Sequence, residues 1–567
     1  MKITKNIARL AVTAGLTAAL SFGCVMAPVT MAFAVEGATT ANGSVTIENV
    51  EGNTTEFKGY QIFRADVATN GTVSNITWAN INVQNAVESF IQVEDESYAG
   101  RTAQDAADWI TKKVEGAGKT TRVEFGSIPY KIADRVDGLT ESVTTTGKTV
   151  SGLEHGYWLF VTDPGTIETG DAGTSPIFTV VGSAPVKITE KTGVPTVEKK
   201  IVSDADGMEH DAADSQIGQD VTYNLYGTVA ENFDKYGTYF YQFSDQISKG
   251  LTLQEGAKVY LYKNRNDAKA DLARKKGTDI TTNFIKSTDT AAEDGSMTTK
   301  WTCDNLKTVK GVTKDSYIVV SYTARINEHA IVAGTESNNN AVILKYSNNP
   351  MDKDSKGQTP PDTVKDYTYG LRINKVDLGT ETKLPNAQFT ITTNGDEKNE
   401  QVKYVDDKGK LSTNEVILTT NGDGVITLTG LDAGVYTVKE VSAPDGYTAA
   451  DPFTFEIRPT MTDDGPAAGL TRVTGELKTS QETKVIAGLN DTSAGKVGDN
   501  KLDFKEGTLI NTDDGTFNIT VGDTKQINLP LTGLNGVTFT WIAGGAVLCV
   551  GVAHLIRSRK RDDGSEE

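Results

Sequence analysis

Lysine, carboxylate and amide side chains fall on the apolar faces of several strands predicted in the middle of the chain. Side chains of a strand alternate between its two faces, so residues two positions apart share a face. By this rule Lys199, Asp245 and Asn348 each share a face with large apolar neighbours. A buried amine or acid is costly unless it is paired or neutralised. The pattern therefore brings a lysine, an acid and an amide to one core.

A second set follows the same pattern nearer the C-terminus. Lys375 shares a face with Leu371 and Ile373, and Glu440 and Asp523 likewise follow apolar residues of their strands. Any one of these side chains would also fit an edge strand, or a long side chain whose charged end reaches solvent. Two complete sets, each with Lys on the first strand and Asn or Asp on the last, favour paired groups inside two cores.

The segments that carry these side chains have the sequence pattern of β-strands. Short runs rich in Val, Ile, Thr, Tyr and Phe alternate with clusters of Gly, Asn and Asp, and helical periodicity is clear only at 104–117. We expect a mainly β fold of tandem immunoglobulin-like β-sandwich domains, with some helix in the first. The predicted parts are an N-terminal domain (35–190), a middle domain (192–350), a polar linker with a Pro pair (351–366) and a C-terminal domain (367–528).

Composition excludes several classes of function. Lys and Arg number 56 against 75 Asp and Glu, a net charge of −19, which is the wrong sign for binding a nucleic acid backbone. Four His and three Cys are scattered without metal-ligand spacing, and no CxxC, G-x-S-x-G or HExxH occurs. We expect no metal, no cofactor and no enzyme active site.

Both ends of the chain indicate export. Residues 1–34 combine a basic start, an apolar run and the small residues Ala32 and Ala34, as in a secretory signal peptide cleaved after Ala34. Near the other end stand LPLTG (529–533), an apolar stretch of bilayer length (537–556) and a charged tail (557–567) whose basic cluster would stay cytoplasmic. The precursor is predicted to be secreted and held in the membrane by this tail.

Pentapeptide, apolar span and basic tail in that order resemble the cell-wall sorting signal of Gram-positive surface proteins. The resemblance implies recognition of Leu529, Pro530, Leu531, Thr532 and Gly533 by a sortase. That enzyme would cut between Thr532 and Gly533, hold the Thr carbonyl as a thioester and pass it to an amine.

Internal motifs extend the resemblance to nearly the whole mature chain. FKGYQIFRADV (57–67), NAVILKYSNNP (340–350), LPNAQFTI (384–391) and YTVKEVSAPDGY (436–447) occur in the order found in a major (backbone) pilin of sortase-assembled fimbriae. The last two resemble the collagen-adhesin B-type domain. The chain is similar to a structural shaft subunit that adheres cells to surfaces, anchored to the cell wall of a Gram-positive bacterium.

The resemblance also implies spontaneous intramolecular isopeptide bonds between a core Lys and a core Asn or Asp, assisted by a buried acid. It pairs Lys199 with Asn348, with Asp245 assisting, and it pairs Lys375 with an acceptor assisted by Glu440. That acceptor is either Asp523, where the family usually has Asn, or Asn511.

Polymerisation requires a further lysine. Residues 186–191, VKITEK, resemble the family's V-x-V-Y-P-K without its Tyr-Pro, which implies that Lys191 accepts Thr532 of another subunit. The alternative is that Lys191 is a solvated linker lysine and the chain a wall-anchored monomeric adhesin. Implied partners are identical subunits, pilin-specific and housekeeping sortases, tip and base pilins, peptidoglycan and a host glycoprotein or matrix ligand.

Overall fold

A computed structural model describes residues 42–526, except for 50–52, 69–70, 72, 117–122, 124, 140–142, 146–147, 191, 333–336, 394–401, 463–466, 480–485, 490–500 and 506–515. These residues form sheets that fall into three groups along the chain. We name the groups the N-terminal region (42–190), the middle region (192–367) and the C-terminal region (368–526). The mainly β class predicted from the sequence is confirmed.

The N-terminal region combines two sheets with three helices. Its strands are β1 (Gly43–Glu48), β2 (Phe57–Val67), β3 (Val73–Trp78), β4 (Val143–Thr144), β5 (Thr149–Leu153), β6 (Gly156–Thr162), β7 (Ile177–Val181) and β8 (Val186–Thr189). One sheet has the order β5-β1-β8, and the other has the order β3-β2-β6-β7 with β4 paired to β2.

The three helices cover the larger sheet of this region. They are α1 (Ile81–Glu94), α2 (Ala103–Gly116) and α3 (Ile128–Val136). The side chains of Asn80 and Ser127 accept hydrogen bonds from the first turns of α1 and α3, which fixes where these helices begin. The helix predicted at 104–117 is α2, whereas α1 and α3 were not predicted.

The middle region is a sandwich of two seven-stranded sheets. Its elements are β9 (Val197–Val202), β10 (Glu209–His210), β11 (Ala212–Asp214), β12 (Asp220–Thr228), β13 (Tyr241–Ile247), β14 (Leu251–Leu253), β15 (Lys258–Tyr262), α4 (Arg265–Ala270), β16 (Thr278–Asp279), β17 (Ile285–Thr288), β18 (Met297–Cys303), β19 (Tyr317–Ile326), β20 (Asn338–Ser347), β21 (Lys356–Gln358) and β22 (Asp362–Tyr367). The first sheet runs β10-β9-β12-β19-β15-β16 with β14 on β19, and the second runs β11-β22-β20-β13-β18-β17 with β21 on β20.

The segment predicted as a linker, 351–366, contains two strands of the second sheet. Both β21 and β22 pair antiparallel with β20. Val364 is fully buried in the core of the sandwich, which a solvated linker residue would not be. The polar composition and the Pro pair are the reason why a linker was predicted here. The middle sandwich in fact extends to Tyr367, and the C-terminal region begins at the next residue.

The C-terminal region is a sandwich of a five-stranded and an eight-stranded sheet. Its strands are β23 (Tyr369–Asp377), β24 (Gln388–Thr393), β25 (Lys403–Val405), β26 (Leu411–Ser412), β27 (Leu418–Thr419), β28 (Val425–Leu431), β29 (Gly434–Ser442), β30 (Tyr447–Thr448), β31 (Phe453–Thr462), β32 (Gly469–Thr479), β33 (Ile486–Leu489), β34 (Lys501–Lys505) and β35 (Thr516–Lys525). The smaller sheet runs β28-β23-β35-β30 with β33 on β35, and the larger runs β26-β25-β24-β29-β31-β32-β34 with β27 on β24.

The first and last strands of this region, β23 and β35, are parallel neighbours, with Lys375 opposite Val521 and Asp377 opposite Asp523. Within the ranges given above, no α-helix is long and apolar enough to cross a bilayer. The predicted signal peptide, sorting signal, membrane span and charged tail lie outside the described residues.

Candidate functional site

The first candidate site lies in the core of the middle sandwich, around Lys199. This residue alternates inward on β9 together with Ile201, and it is fully buried. Its Nζ donates to Asp245 Oδ1 on β13, to Asn340 Oδ1 on β20 at 2.5 Å and to the hydroxyl of Tyr322 on β19 at 3.0 Å. The lysine therefore reaches from one sheet to the other and touches an acid, an amide and a phenol.

Burial controls the charge of this site. Loss of solvent lowers the pKa of Lys199 to about 8, although the nearby Asp245 opposes that shift. Tyr322 is stacked between Tyr223 and Trp301, with ring centroids 5.4 and 5.5 Å away. These aromatic rings exclude water from the amine, so a neutral and nucleophilic form of Lys199 is accessible near neutral pH.

The structure does not bring Asn348, the amide predicted to meet Lys199, to this site. Asn348 follows the end of β20 and lies between the N-terminal and middle regions. Its Oδ1 accepts from Ser355 Oγ at 2.7 Å, and its backbone oxygen accepts from the backbone N–H of Gly173 at 2.5 Å. Asn340 occupies the place expected for it.

The reason for this correction is geometric. Positions 340 and 348 have the same parity, but β20 ends at Ser347, and eight residues of extended chain would separate the two side chains by about 26 Å. Alternation gives the face of a side chain and not its position along the strand. A signal for Asn340 was present, because the run 338–340 places three Asn directly before the apolar part of the strand.

The second candidate site lies in the core of the C-terminal sandwich, around Lys375. Its Nζ contacts Asp523 Oδ1 on the neighbouring parallel strand β35, and Glu440 Oε2 on β29 of the other sheet at 2.8 Å. Glu440 Oε2 also accepts from the backbone N–H of Ala450 at 2.8 Å. All three ionisable side chains are buried, so the structure brings together the three residues predicted here.

Two acids share one lysine at this second site. Burial raises the pKa of Asp523 to about 7; Lys375 opposes the shift and the nearby Glu440 reinforces it. Two buried carboxyl groups beside one lysine would leave an unbalanced negative charge if both were ionised, which favours the protonated form of Asp523 below about pH 7. The site can therefore present a protonated acid to the amine.

The remaining predicted site residues are not among those that the structure describes. Lys191, the alternative acceptor Asn511 and the sorting pentapeptide 529–533 lie outside the described residues. On either side of Lys191, the described neighbours are Glu190, whose Oε1 accepts from Asn53 Nδ2 at 2.6 Å, and Thr192. The roles suggested for Lys191, Asn511 and the pentapeptide stay predictions.

Comparison with known proteins finds a matching family model and a curated relative. Residues 370–466 match the family model described as SpaA, prealbumin-like fold domain. The trypsin-resistant surface T6 protein of Streptococcus pyogenes serotype M6 is 27% identical over 278 residues, which cover 42% of this chain and 48% of that protein. The chain thus spans about half the length of this curated relative.

Two solved structures are similar over most of the chain. The T6 backbone pilin of serotype M6 Streptococcus pyogenes has a TM-score of 0.46 and 18% identity, covering 85% of this chain and 98% of that one. The full-length major pilin SpaD from Corynebacterium diphtheriae has a TM-score of 0.42 and 15% identity, covering 86% and 98%. Both of these structures are of backbone or major pilins, the family that the sequence motifs resemble.

Proposed function

We propose that this protein is the structural shaft subunit of a sortase-assembled, cell-wall-anchored pilus, with its middle and C-terminal sandwiches each closed by an intramolecular isopeptide bond. The observation that carries the proposal is the burial of a lysine against an acid and an acceptor in both sandwiches. The likeness of residues 370–466 to the SpaA family and the sorting signal at 529–533 support it.

In the middle region the bond would join Lys199 to Asn340. The ammonium of Lys199 first passes a proton to Asp245, and the neutral Nζ then attacks Cγ of Asn340. The new C–N bond forms, the bond from Cγ to Nδ2 breaks, and ammonia leaves. Folding supplies the proximity, because the amine and the amide already touch in the folded core.

In the C-terminal region the bond would join Lys375 to Asp523. Nζ attacks Cγ of the protonated Asp523, and a hydroxyl group leaves as water. Glu440 contacts the amine, so it can take the proton that Nζ loses and return it to the leaving oxygen. An Asp acceptor in place of Asn therefore changes the leaving group and not the product.

Between subunits, Thr532 of one copy would be joined to Nζ of Lys191 in the next. A head-to-tail contact of this kind does not close on itself, so it produces a fibre. Lys191 lies between β8 and β9 in sequence, at the junction of the N-terminal and middle regions. The implied partners are a pilin-specific sortase for polymerisation, a housekeeping sortase that joins the fibre to peptidoglycan, tip and base pilins, and a host surface ligand.

An immunoblot of cell-wall extract boiled in detergent tests this function. The natural chain should give a high-mass ladder, and Lys191→Ala should collapse it to the monomer. Lys187→Ala is the matched control, since Lys187 is an exposed lysine of β8 whose loss should leave the ladder intact. A ladder that survives Lys191→Ala would indicate that another lysine forms the linkage between subunits. A single band from the natural chain would favour a monomeric adhesin.

A further inference from the structure

Tyr322 contacts every reacting group of the middle site, although no sequence pattern distinguishes it from other buried tyrosines. Its hydroxyl donates to Asp245 Oδ2 at 2.5 Å, and it accepts from Asn340 Nδ2 at 2.7 Å and from Lys199 Nζ at 3.0 Å. A phenol has one hydrogen to donate and two lone pairs to accept with, so all of its hydrogen-bonding capacity is used here.

We propose that Tyr322 is a catalytic residue that carries a proton from Asp245 to the nitrogen leaving Asn340. The proposal rests on the Lys199–Asn340 bond proposed above and adds the route by which that bond forms. It assigns to Tyr322 a role in chemistry, in addition to its packing between two aromatic rings.

The placement of Asp245 explains why such a relay is needed. Asp245 and Asn340 lie on neighbouring antiparallel strands but are out of register, since Asp245 is opposite Val342 and Asn340 is opposite Ile247. Asp245 uses Oδ1 for the amine and Oδ2 for Tyr322. The hydroxyl of Tyr322, from the opposite sheet, is hydrogen-bonded both to the acid and to the amide nitrogen that must be protonated.

The proton balance closes through these contacts. When the neutral Nζ has attacked Cγ, the added nitrogen gives a proton to Asp245 Oδ1. The ammonium proton lost before the attack lies on Asp245 Oδ2, because Nζ donates to the oxygen of Tyr322 and the hydroxyl of Tyr322 donates to Oδ2. Nδ2, which donates to Tyr322 in the resting site, gains a basic lone pair in the tetrahedral intermediate, so this hydrogen bond reverses. The proton on Oδ2 then passes to the oxygen of Tyr322, and the hydroxyl hydrogen of Tyr322 passes to Nδ2. The bond from Cγ to Nδ2 then breaks and ammonia leaves. Asp245 ends protonated and Tyr322 ends as a neutral phenol.

The surroundings of Tyr322 suit a relay. Burial raises the pKa of Tyr322 well above its usual value, and the charge of Asp245 raises it further. The hydroxyl therefore keeps its proton until another arrives. Because Tyr322 is 2% exposed, solvent water has little access to supply that proton instead.

The second site provides an internal control. There the acid Glu440 and the acceptor Asp523 both surround Lys375, and among the described residues the side chains hydrogen-bonded to its Nζ are these two carboxyl groups. A change at Tyr322 should therefore slow only the bond of the middle region.

The test compares Tyr322→Phe with Tyr241→Phe and with the natural chain. Tyr241 is a fully buried tyrosine of the same sandwich whose hydroxyl donates to the backbone oxygen of Thr228, so its loss removes an equivalent polar atom away from Lys199. Each full-length chain is made by cell-free synthesis and denatured at intervals. The branched peptides joining Lys199 to Asn340 and Lys375 to Asp523 are then quantified by mass spectrometry.

We expect Tyr322→Phe to slow the Lys199–Asn340 bond by about 10²–10⁴-fold, the usual range for loss of a proton-transfer group. The Lys375–Asp523 bond should form at the natural rate, and so should both bonds in Tyr241→Phe. A natural rate in Tyr322→Phe would overturn the role of Tyr322. If the natural chain itself formed no Lys199–Asn340 bond, the proposed function would fail at this site instead.

A second measurement separates chemistry from folding. Replacing Tyr322 with a ring-fluorinated tyrosine keeps its shape and hydrogen bonds but lowers the pKa of the hydroxyl. A proton relay requires the rate of bond formation to change while thermal unfolding stays the same. An unchanged rate would mean that Tyr322 only packs the core.

Discussion

The amide oxygen of Asn340 lies 2.5 Å from Nζ of Lys199, although 141 positions of the chain separate these two residues. In the C-terminal region, Lys375 contacts Asp523 across 148 positions. Each contact closes most of its sandwich into one loop. A covalent bond at either contact would therefore constrain the unfolded chain in the way a long-range disulfide does.

The identity of the middle acceptor gives the first prediction. Asn340→Ala should abolish the cross-linked peptide that contains Lys199, because no other carboxamide is placed against Nζ among the described contacts. Asn348→Ala, the matched control just after the end of β20, should keep it. Tryptic peptide mapping decides between them, and a Lys199–Asn348 peptide in the natural chain would contradict the assignment.

The leaving group gives the second prediction. In the natural chain the peptides joined through Lys375 and Asp523 should weigh less than their sum by one water. Asp523→Asn should still cross-link but lose one ammonia instead, since Glu440 remains in place to move the proton. Glu440→Ala should prevent the bond. If Asp523→Ala still cross-links through Lys375, the acceptor would be Asn511 or another residue.

Stability gives the third prediction. Lys199→Met keeps an unbranched buried side chain, one atom shorter than that of lysine, but cannot cross-link. By the loop-closure argument it should lower the free energy of unfolding of the middle sandwich by about 4–5 kcal/mol. That loss corresponds to a fall in Tm of roughly 10–20 °C.

Differential scanning calorimetry of the full chain measures this change. Lys258→Met is the control, because Lys258 is an exposed lysine of β15 whose ion pair with Asp279 contributes little. Equal Tm values for the natural chain and Lys199→Met would argue against a covalent tie in the middle region.

The junction of the middle and C-terminal regions gives a fourth prediction, on pH. The backbone N–H of Ala433 donates to both Asp214 Oδ2 at 3.0 Å and Asp432 Oδ1 at 2.8 Å, so two carboxyl groups share one donor. Burial raises the pKa of Asp214 to about 6 and that of Asp432 well above its usual value, and the charge of Asp204 adds to both shifts.

The sign follows from linkage. An acid whose pKa is raised in the folded state holds its proton there and releases it on unfolding, so the contact is most stable at low pH. Its stability should fall as the pH rises from about 4 through 6 and beyond.

Hydrogen exchange at residues 212–217 and 430–433 should therefore be slower at pH 5 than at pH 8, after correction for the intrinsic exchange rate. Asp432→Asn should remove most of this difference. An equal protection at both pH values in the natural chain would contradict a shared proton at this junction.

Alternation of side chains predicted much of both sites. It indicated that Lys199, Asp245, Lys375, Glu440 and Asp523 point into a core, and in the structure they do. The prediction succeeds because a strand has only two faces. A charged residue two positions away from an apolar residue lies on the same face as that residue.

Alternation does not predict where along a strand a side chain meets its partner. Asn340 and Asn348 are an even number of positions apart, so alternation does not distinguish them. The choice between them depends on where β20 ends and on how β9 and β20 are placed across the core. Tyr322 alternates with Val320 and Ala324 like any buried aromatic residue. Only the hydrogen bonds of its hydroxyl distinguish it.

The parallel pairing of β23 and β35 has a mechanical consequence. Tension that enters at the start of β23 and leaves at the end of β35 pulls the two strands in opposite directions along their own axes. The ladder from Gly370 and Thr516 to Asp377 and Asp523 is then sheared as a whole, rather than unzipped one pair at a time. The C-terminal sandwich thus resists stretching through its strand order, before any covalent bond is considered.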